Sequence, residues 1–383
     1  MPFPDLPSQL AAALAERGYA EPTPVQAAVL DPAASGRDLL VSAQTGSGKT
    51  VAFGLAMAPE VLSGGRGGVP RALAIAPTRE LALQVREELG WLYAGAGLRV
   101  IALVGGTDMR GDRRALAAGA EIVVGTPGRL RDHLERGALD LSALKAVVLD
   151  EADEMLDMGF RDELEAILEA APEGRRTLLF SATVPREIEA LAKSYQRDAL
   201  RIAATSEGGR HADISYRAMA ISTRSLEAAV VNALRWFEAR GALVFCNTRE
   251  AVNRLHGSLV ERGFAAVALS GELTQAERNR ALQVLRDGRA RVCVATDVAA
   301  RGIDLPDLGL VIHAELPRDR ETLTHRSGRT GRAGRKGTAV LLVPHGKRRA
   351  FERMLAQMRL PVEWTAPPGA EDIRARDNER LAE

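Results

Sequence analysis

The sequence predicts an α/β protein made of two parallel-sheet units joined by a flexible linker. Three observations carry that expectation. Short apolar runs recur at intervals of about 20 to 40 residues, the stretches between them have helical periodicity, and one polar stretch containing glycine interrupts the series. A chain of 383 residues has room for two such units.

In chain order, DLLVSA, ALAIAP, VIALVG, EIVVGT, AVVLDEA and TLLFSA read as strands of the first unit. Residues 80–92 and 162–168 are among the helical stretches between them. TSEGGRHAD has neither period and reads as the linker. ALVFCN, AAVALSG, RVCVATD, LVIHAEL and TAVLLV then open a second series. The expected boundaries are 1–204 for the first unit, 205–212 for the linker, 213–362 for the second unit and 363–383 for a polar tail. Strands this short and this apolar belong to sheets covered on both faces. TAPPGAED breaks any helix ahead of the tail, which is either a solvated terminal helix or the leader into a further domain.

Composition narrows the class. With 46% hydrophobic and 26% charged residues, the chain fills real cores. No apolar run reaches the roughly 18 residues of a membrane span and the N-terminus has no basic leader, so the expected setting is the cytoplasm, with no membrane partner. Cys246 and Cys293 fall inside apolar runs and read as buried reduced thiols, not a disulfide or zinc site. The net charge is only +1, so a polyanion must be held by a local patch and by backbone N–H groups. Aromatic residues, at 4%, are too few for an extended base-stacking platform. Lysine is scarce: Lys49, Lys145, Lys193, Lys336 and Lys347 are the only five.

Each apolar run ends in small, polar or glycine residues. Ligands of open parallel sheets bind outside the carboxyl ends of the strands, so the functional loops should gather on one edge of each sheet. The strongest of these loops is Ala43-Gln44-Thr45-Gly46-Ser47-Gly48-Lys49-Thr50, between a strand and a helix. It has the context of a phosphate-binding loop, with Ala43 in place of the usual first glycine. Its glycines let backbone N–H groups close around phosphate oxygens at the positive end of a helix. Lys49 would pair with the β and γ phosphates of ATP, and Thr50 would place its hydroxyl on Mg²⁺. The second signal is Ala146 to Asp153, a strand ending in acids, where Asp150 can hold Mg²⁺ and Glu151 can orient and deprotonate the attacking water. The third is His325-Arg326-Ser327-Gly328-Arg329-Thr330-Gly331-Arg332, whose arginines, spaced by three, share one face if helical. They read as fingers for the γ phosphate or, more plainly, as a solvated basic face.

Together these segments resemble the DEAD-box RNA helicases of superfamily 2, of bacterial type, with Asp150 to Asp153 as the eponymous residues; the resemblance spans about residues 3–345. It implies two tandem RecA-like domains and ATP hydrolysis stimulated by RNA. It also implies local unwinding of short duplexes through sequence-independent backbone contacts, in ribosome assembly or RNA decay. Gly18 to Gln26 matches the adenine-recognising segment, with Gln26 on the base edge and Phe3 stacked on the ring. Thr45, Gly46, Ser47, Gly48, Gly302 and Asp304 fall to the nucleotide, as do Arg329 and Arg332. Pro77, Thr78, Arg79, Gly106, Thr126, Pro127, Gly128 and Arg129 in the first domain, with Gln275, Arg278 and Thr296 in the second, match RNA-contacting positions. Asp153, Ser181, Thr183 and His325 match residues that couple nucleotide state to strand separation. Ser270-Gly271-Glu272, Ala314 and Ser327 depart from the family pattern, which has His-Gly-Asp, frequently tyrosine and frequently an aliphatic residue there. The tail resembles segments that lead to a dimerisation or RNA-binding module, so a protein or RNA partner through a C-terminal extension is expected. Two other readings share these motifs. A DNA helicase of the same superfamily is disfavoured by Gly18 to Gln26, whereas an ATP-dependent RNA clamp or annealing chaperone shares every motif.

Overall fold

The computed structural model describes residues 3–43, 46–64, 68–203, 213–300, 308–331, 335–358 and 360–382. The chain divides into two compact units, residues 1–207 and 208–383. Residues 205–212, expected as the linker, lie outside the described residues.

The first unit carries β1 (Leu39–Ser42), β2 (Ala72–Ile75), β3 (Val100–Leu103), β4 (Ile122–Gly125), β5 (Ala146–Leu149), β6 (Arg176–Ser181) and β7 (Leu200–Ala203). The second carries β8 (Ile214–Ile221), β9 (Gly241–Phe245), β10 (Ala266–Leu269), β11 (Val292–Ala295), β12 (Leu308–His313), β13 (Gly337–Pro344) and β14 (Val362–Thr365). Every strand pairing is parallel. Alternate residues of one strand enter opposite cores: Ala72 and Ala74 join one apolar cluster, Leu73 and Ile75 the other. Ala242 and Val244 split from Leu243 and Phe245 in the same way in the second unit. Burial on both faces explains why these strands read as continuous apolar runs.

The sheet orders are β3-β4-β2-β5-β6-β1-β7 and β10-β11-β9-β12-β13-β8-β14. Counted from the first strand of each unit, the two orders are identical, so the second unit repeats the topology of the first. The order also divides the first sheet. The loops after β3, β4 and β2 hold the residues matched to RNA, and the loops after β5, β6 and β1 hold those matched to nucleotide chemistry.

Three strands escape the apolar-run criterion. β7 is an edge strand with alternating exposure. β8 mixes polar residues into its run, with Arg217 facing Glu363 of β14 across the ladder and paired with it at 3.5 Å. β14 corrects the expectation of a polar tail from residue 363: it adds an edge strand to the second sheet. The helix that follows, Ala370–Ala382, packs on Leu226–Phe237. Ile373 is buried there, Asn232 donates to the Pro368 carbonyl at 2.8 Å, and the Arg376 guanidinium lies 4.4 Å from the Trp236 ring centroid. One buried apolar residue and an arginine on a ring are enough to seat a helix that composition alone marks as solvated.

Cys246 and Cys293 are free and buried, and burial pushes both thiols up to about 12, which keeps them protonated. Trp91 and Trp364 are packing residues, covered by Arg17 and Arg348 respectively. Among the described residues no helix is long and apolar enough to cross a membrane.

Candidate functional site

The carboxyl end of β1 delivers the chain into the glycine loop. Ala43 is buried and its N–H donates to the Ser181 carbonyl at 3.0 Å, so the loop starts still tied to β6. Gly46 and Gly48 have φ of 83° and 86°. At Gly48 a side chain is excluded twice, because a Cβ would also lie 2.6 Å from Gln26 Nε2. The helix Lys49–Ala56 begins at once, so its first N–H groups and Lys49 itself stand at the loop. Thr50 follows in the first turn, partly buried. Ser47 is described; Thr45 lies outside the described residues.

Gln26 is fully buried. Its Oε1 accepts from Thr23 N–H at 3.0 Å while Thr23 Oγ1 accepts from Gln26 N–H at 3.4 Å, a reciprocal cap on the helix Pro24–Val29. Its Nε2 donates to the Gly48 carbonyl at 3.3 Å. The side chain expected to read adenine thus also fixes the end of the phosphate loop. Phe3 packs, partly buried, against the same core.

β5 lies two strands from β1, about 10 Å away at ordinary strand spacing. From its end Asp150 projects into buried space, with Oδ1 4.0 Å from Lys49 Nζ. Neither atom has a hydrogen-bond partner among the described residues. Burial pushes the Asp150 carboxyl up to about 6; Lys49 works against that rise, and Glu151 and Asp153 add to it. A buried ammonium and a buried carboxylate with unused hydrogen-bonding capacity fit a site built for a phosphate chain and its cation. Among the described residues no cluster of three metal-ligating side chains exists, so Mg²⁺ would be held by Asp150 and Thr50 with the remaining oxygens from phosphate and water. Glu151 has φ 52° and ψ 51°, a left-handed conformation that costs a non-glycine residue about 1–2 kcal/mol and persists where the surroundings fix it.

Asp153 joins this acid end to β6. Its Oδ2 accepts from the Thr183 N–H at 2.9 Å and from Thr183 Oγ1 at 2.8 Å, and its own N–H donates to Ser181 Oγ at 3.3 Å. Three of the four coupling candidates are therefore one bonded group. The fourth, His325, lies in the second unit on the helix Arg320–Ser327.

The RNA-matched loops interlock too. Thr78 caps the helix Arg79–Leu92, and Arg79 Nη1 donates to the Gly105 carbonyl at 2.6 Å, beside Gly106 with φ 77°. Pro77 precedes this cap; Thr126 and Pro127 begin the helix Pro127–Glu135, and nothing crowds Gly128. Arg129, expected as a direct contact, also has partners within the protein. Its Nε donates to Asp112 Oδ2 at 2.9 Å and its Nη2 to the Thr107 carbonyl at 2.7 Å, which leaves its guanidinium holding one loop to the next. His133, fully buried, meets the same Asp112 oxygen at 3.1 Å. Asp112 and His133 were not legible as site residues, since nothing in RGDRR marks its one acid as turned inward.

In the second unit, Gln275 and Arg278 lie one helical turn apart on Gln275–Arg286, whose start is fixed by the reciprocal cap of Thr274 and Glu277. Thr296 follows β11; its N–H donates to Leu269 at 3.3 Å, and its hydroxyl accepts from the Ala299 N–H at 3.4 Å. Gly302 and Asp304 lie outside the described residues, as does Arg332.

The arginine segment is not one helical face. The helix ends at Ser327, and Arg326 turns inward, where Nε and Nη2 grip Asp297 at 2.6 and 2.7 Å. Arg326 Nη2 also donates to Asn247 Oδ1 and Nη1 to the Glu315 carbonyl, both at 2.7 Å, and the guanidinium lies 5.1 Å from the Phe245 ring centroid. It binds the ends of β9, β11 and β12 together. Arg326→Ala should destabilise the second unit by about 3–5 kcal/mol, because Asp297 and Asn247 lose their buried partner; a thermal melt of that unit showing no change would contradict it. Arg329 sits on the turn beyond the helix and is buried. The departure at Ser327 is explained: its hydroxyl meets His313 Nε2 at 3.1 Å in the interior, and burial, with Arg326 nearby, holds that imidazole well below its usual range, hence neutral.

Residues 23–191 match the family model described as DEAD/DEAH box helicase, and residues 227–334 match that of the helicase conserved C-terminal domain. The chain is 41% identical over 375 residues to the ATP-dependent RNA helicase DeaD of Klebsiella pneumoniae, covering 97% of this chain and 57% of that protein. It therefore spans little more than half the length of that curated relative. Among solved structures, S. cerevisiae Dbp5 bound to RNA and ADP BeF3 superposes with a TM-score of 0.85 at 26% identity, covering 98% of each chain. A DEAD box protein from the hyperthermophile Methanococcus jannaschii is 35% identical with a TM-score of 0.53, covering 94% of this chain and 98% of its own. With both halves of the chain matched in order, and the buried Lys49–Asp150 pair standing where that family's signature loops meet, the chain belongs to the DEAD-box helicases.

Proposed function

We propose that the chain is an RNA-stimulated ATPase that separates or remodels short RNA duplexes. The observation that carries this reading is the buried Lys49–Asp150 pair at the sheet edge shared with the RNA-matched loops of β2, β4 and β3. Lys49 and the N–H groups of residues 43–50 would bind the β and γ phosphates, with Gln26 and Phe3 at the adenine and Gly302 and Asp304 completing the nucleotide contacts. Bound Mg²⁺, held by Asp150 and Thr50, would supply charge neutralisation at the phosphates. Glu151 would orient the attacking water and take its proton. Arg329 and Arg332 would supply the positive charge the transferring phosphoryl group needs.

The repeated topology supports this division of labour. In the second unit the position equivalent to the phosphate loop, after β8, is the short turn Thr223–Ser225, with no glycine loop. That turn offers no phosphate cradle, which fits a role for that unit's arginines in the chemistry and not in a second phosphate loop. RNA contacts through Pro77, Thr78, Arg79, Gly106, Thr126, Pro127, Gly128, Gln275, Arg278 and Thr296 would fall on phosphates and 2′-hydroxyls and ignore base sequence. The two buried reduced cysteines support a cytoplasmic setting. A protein or RNA partner beyond the chain's last helix, and a place in ribosome assembly or RNA decay, belong to the same reading.

The test is steady-state ATPase with RNA, with DNA and without either, alongside displacement of a short RNA duplex. Stimulation by RNA alone, with displacement, is the expected result. Stimulation by DNA points to a DNA helicase, and stimulation without displacement to a clamp or annealing chaperone. Arg329→Ala should lower RNA-stimulated turnover at least about tenfold with nucleotide affinity nearly unchanged, a modest share of what arginine fingers supply; a wild-type rate would remove the arginine from the chemistry.

A further inference from the structure

The helix Met109–Ala117 presents a charge arrangement that the reading above leaves unused. Its only acid, Asp112, is buried and bonded to Arg129, Thr107 and His133. Its three basic residues, Arg110, Arg113 and Arg114, are all exposed. They fall at spacings of three and four and so share one outer face, where like charges repel one another. None of the three guanidiniums has an ion-pair, hydrogen-bond or ring partner among the described residues. Elsewhere exposed arginines commonly find an acid, as Arg131 does with Glu135, Arg161 with Glu165 and Arg348 with Glu352. The nearby Asp108 does not serve them, since its oxygens accept the N–H groups of Arg110 and Gly111 that begin the helix.

The helix also stands in the right place. It begins three residues beyond Gly106, at the carboxyl end of β3, which is the outermost strand on the RNA-matched flank of the first sheet. Arg129 ties it, through Asp112, to the loop after β4. Guanidinium forks match phosphate oxygens in pairs, and a helix locked from behind fixes the backbone that presents them, so that only side-chain ordering is left to the moment of binding.

We propose that Arg110, Arg113 and Arg114 form a phosphate-binding face that extends the RNA contact surface of the first unit beyond its loops. The proposal rests on the RNA reading above. The test is the salt dependence of single-stranded RNA binding by the full chain carrying Arg110→Gln, Arg113→Gln and Arg114→Gln together, glutamine being about as good a helix former as arginine. The slope of log affinity against log salt should become shallower by about 2, and affinity at 0.1 M salt should fall at least about tenfold. Each single substitution should lower the slope by about 0.7, which keeps the test open if the triple variant folds poorly. A charge-matched control, Arg136→Gln with Arg197→Gln and Arg201→Gln, should keep the wild-type slope. If the helix variants keep that slope while the wild type binds RNA, the proposal is overturned. If the wild type does not bind RNA at all, the functional reading falls first and takes the proposal with it. A control variant that loses as much as the helix variant would also overturn it, by showing a diffuse charge effect.

Discussion

Lys49→Ala should abolish ATP turnover, with kcat/KM falling by at least about 10³, roughly 4 kcal/mol of transition-state stabilisation. Two effects compound. The ammonium that pairs with the phosphates is removed, and so is the charge that works most strongly against the rise of the Asp150 carboxyl to about 6, beside a smaller opposing hydrogen bond from the Glu151 backbone. Near neutral pH more of Asp150 would then carry a proton, and its hold on a cation would weaken with it. Steady-state ATPase and fluorescent-nucleotide titration check this; normal turnover in the variant would remove Lys49 from the phosphate site.

Glu151→Gln should separate binding from chemistry. Glutamine keeps the length of the side chain but cannot accept the water's proton, and loss of a general base costs about 10²–10⁴ in rate. ATP and RNA binding should persist and the ternary complex should become long-lived, because the step that releases it no longer occurs. Single-turnover hydrolysis and RNA dissociation measured on the same sample would show this. Equal loss of binding and turnover would instead assign the carboxylate, and its left-handed backbone, a structural role.

Most of the architecture was legible because the strands are buried on both faces. Eleven apolar runs gave eleven strands, and the loop chemistry sat at their carboxyl ends as parallel sheets require. The three missed strands are those whose surroundings supply the partner: Arg217 of β8 is answered by Glu363, and β7 and β14 are half-exposed edges. The tail was misread for the same reason, since Ile373 and Trp236 are unremarkable until they are brought together. In the site, residue types and spacing pointed to Lys49 and Asp150, which lie 4.0 Å apart, while Asp153 came only with the family resemblance. The three arginines could not be sorted from spacing alone. Arg326 is an interior tie because Asp297, Asn247 and Glu315, distant in sequence, converge on it.

The backbone ladder does not stop where the strands do. Just past their ends, Ala43 donates to Ser181, Asp150 to Ile75, Ala76 to Gly125 and Thr126 to Leu103, each at 3.2 Å or less. In the first unit the loops after β3, β4, β2 and β5 are thus stitched in one row and the loop after β1 is tied to β6, with the bond from Asp150 to Ile75 as the seam between the nucleotide-side and polymer-side halves. Between β5 and β6 side chains take over from the backbone, where Asp153 accepts from Thr183 and donates to Ser181, so the join there rests on one carboxylate and two hydroxyl residues.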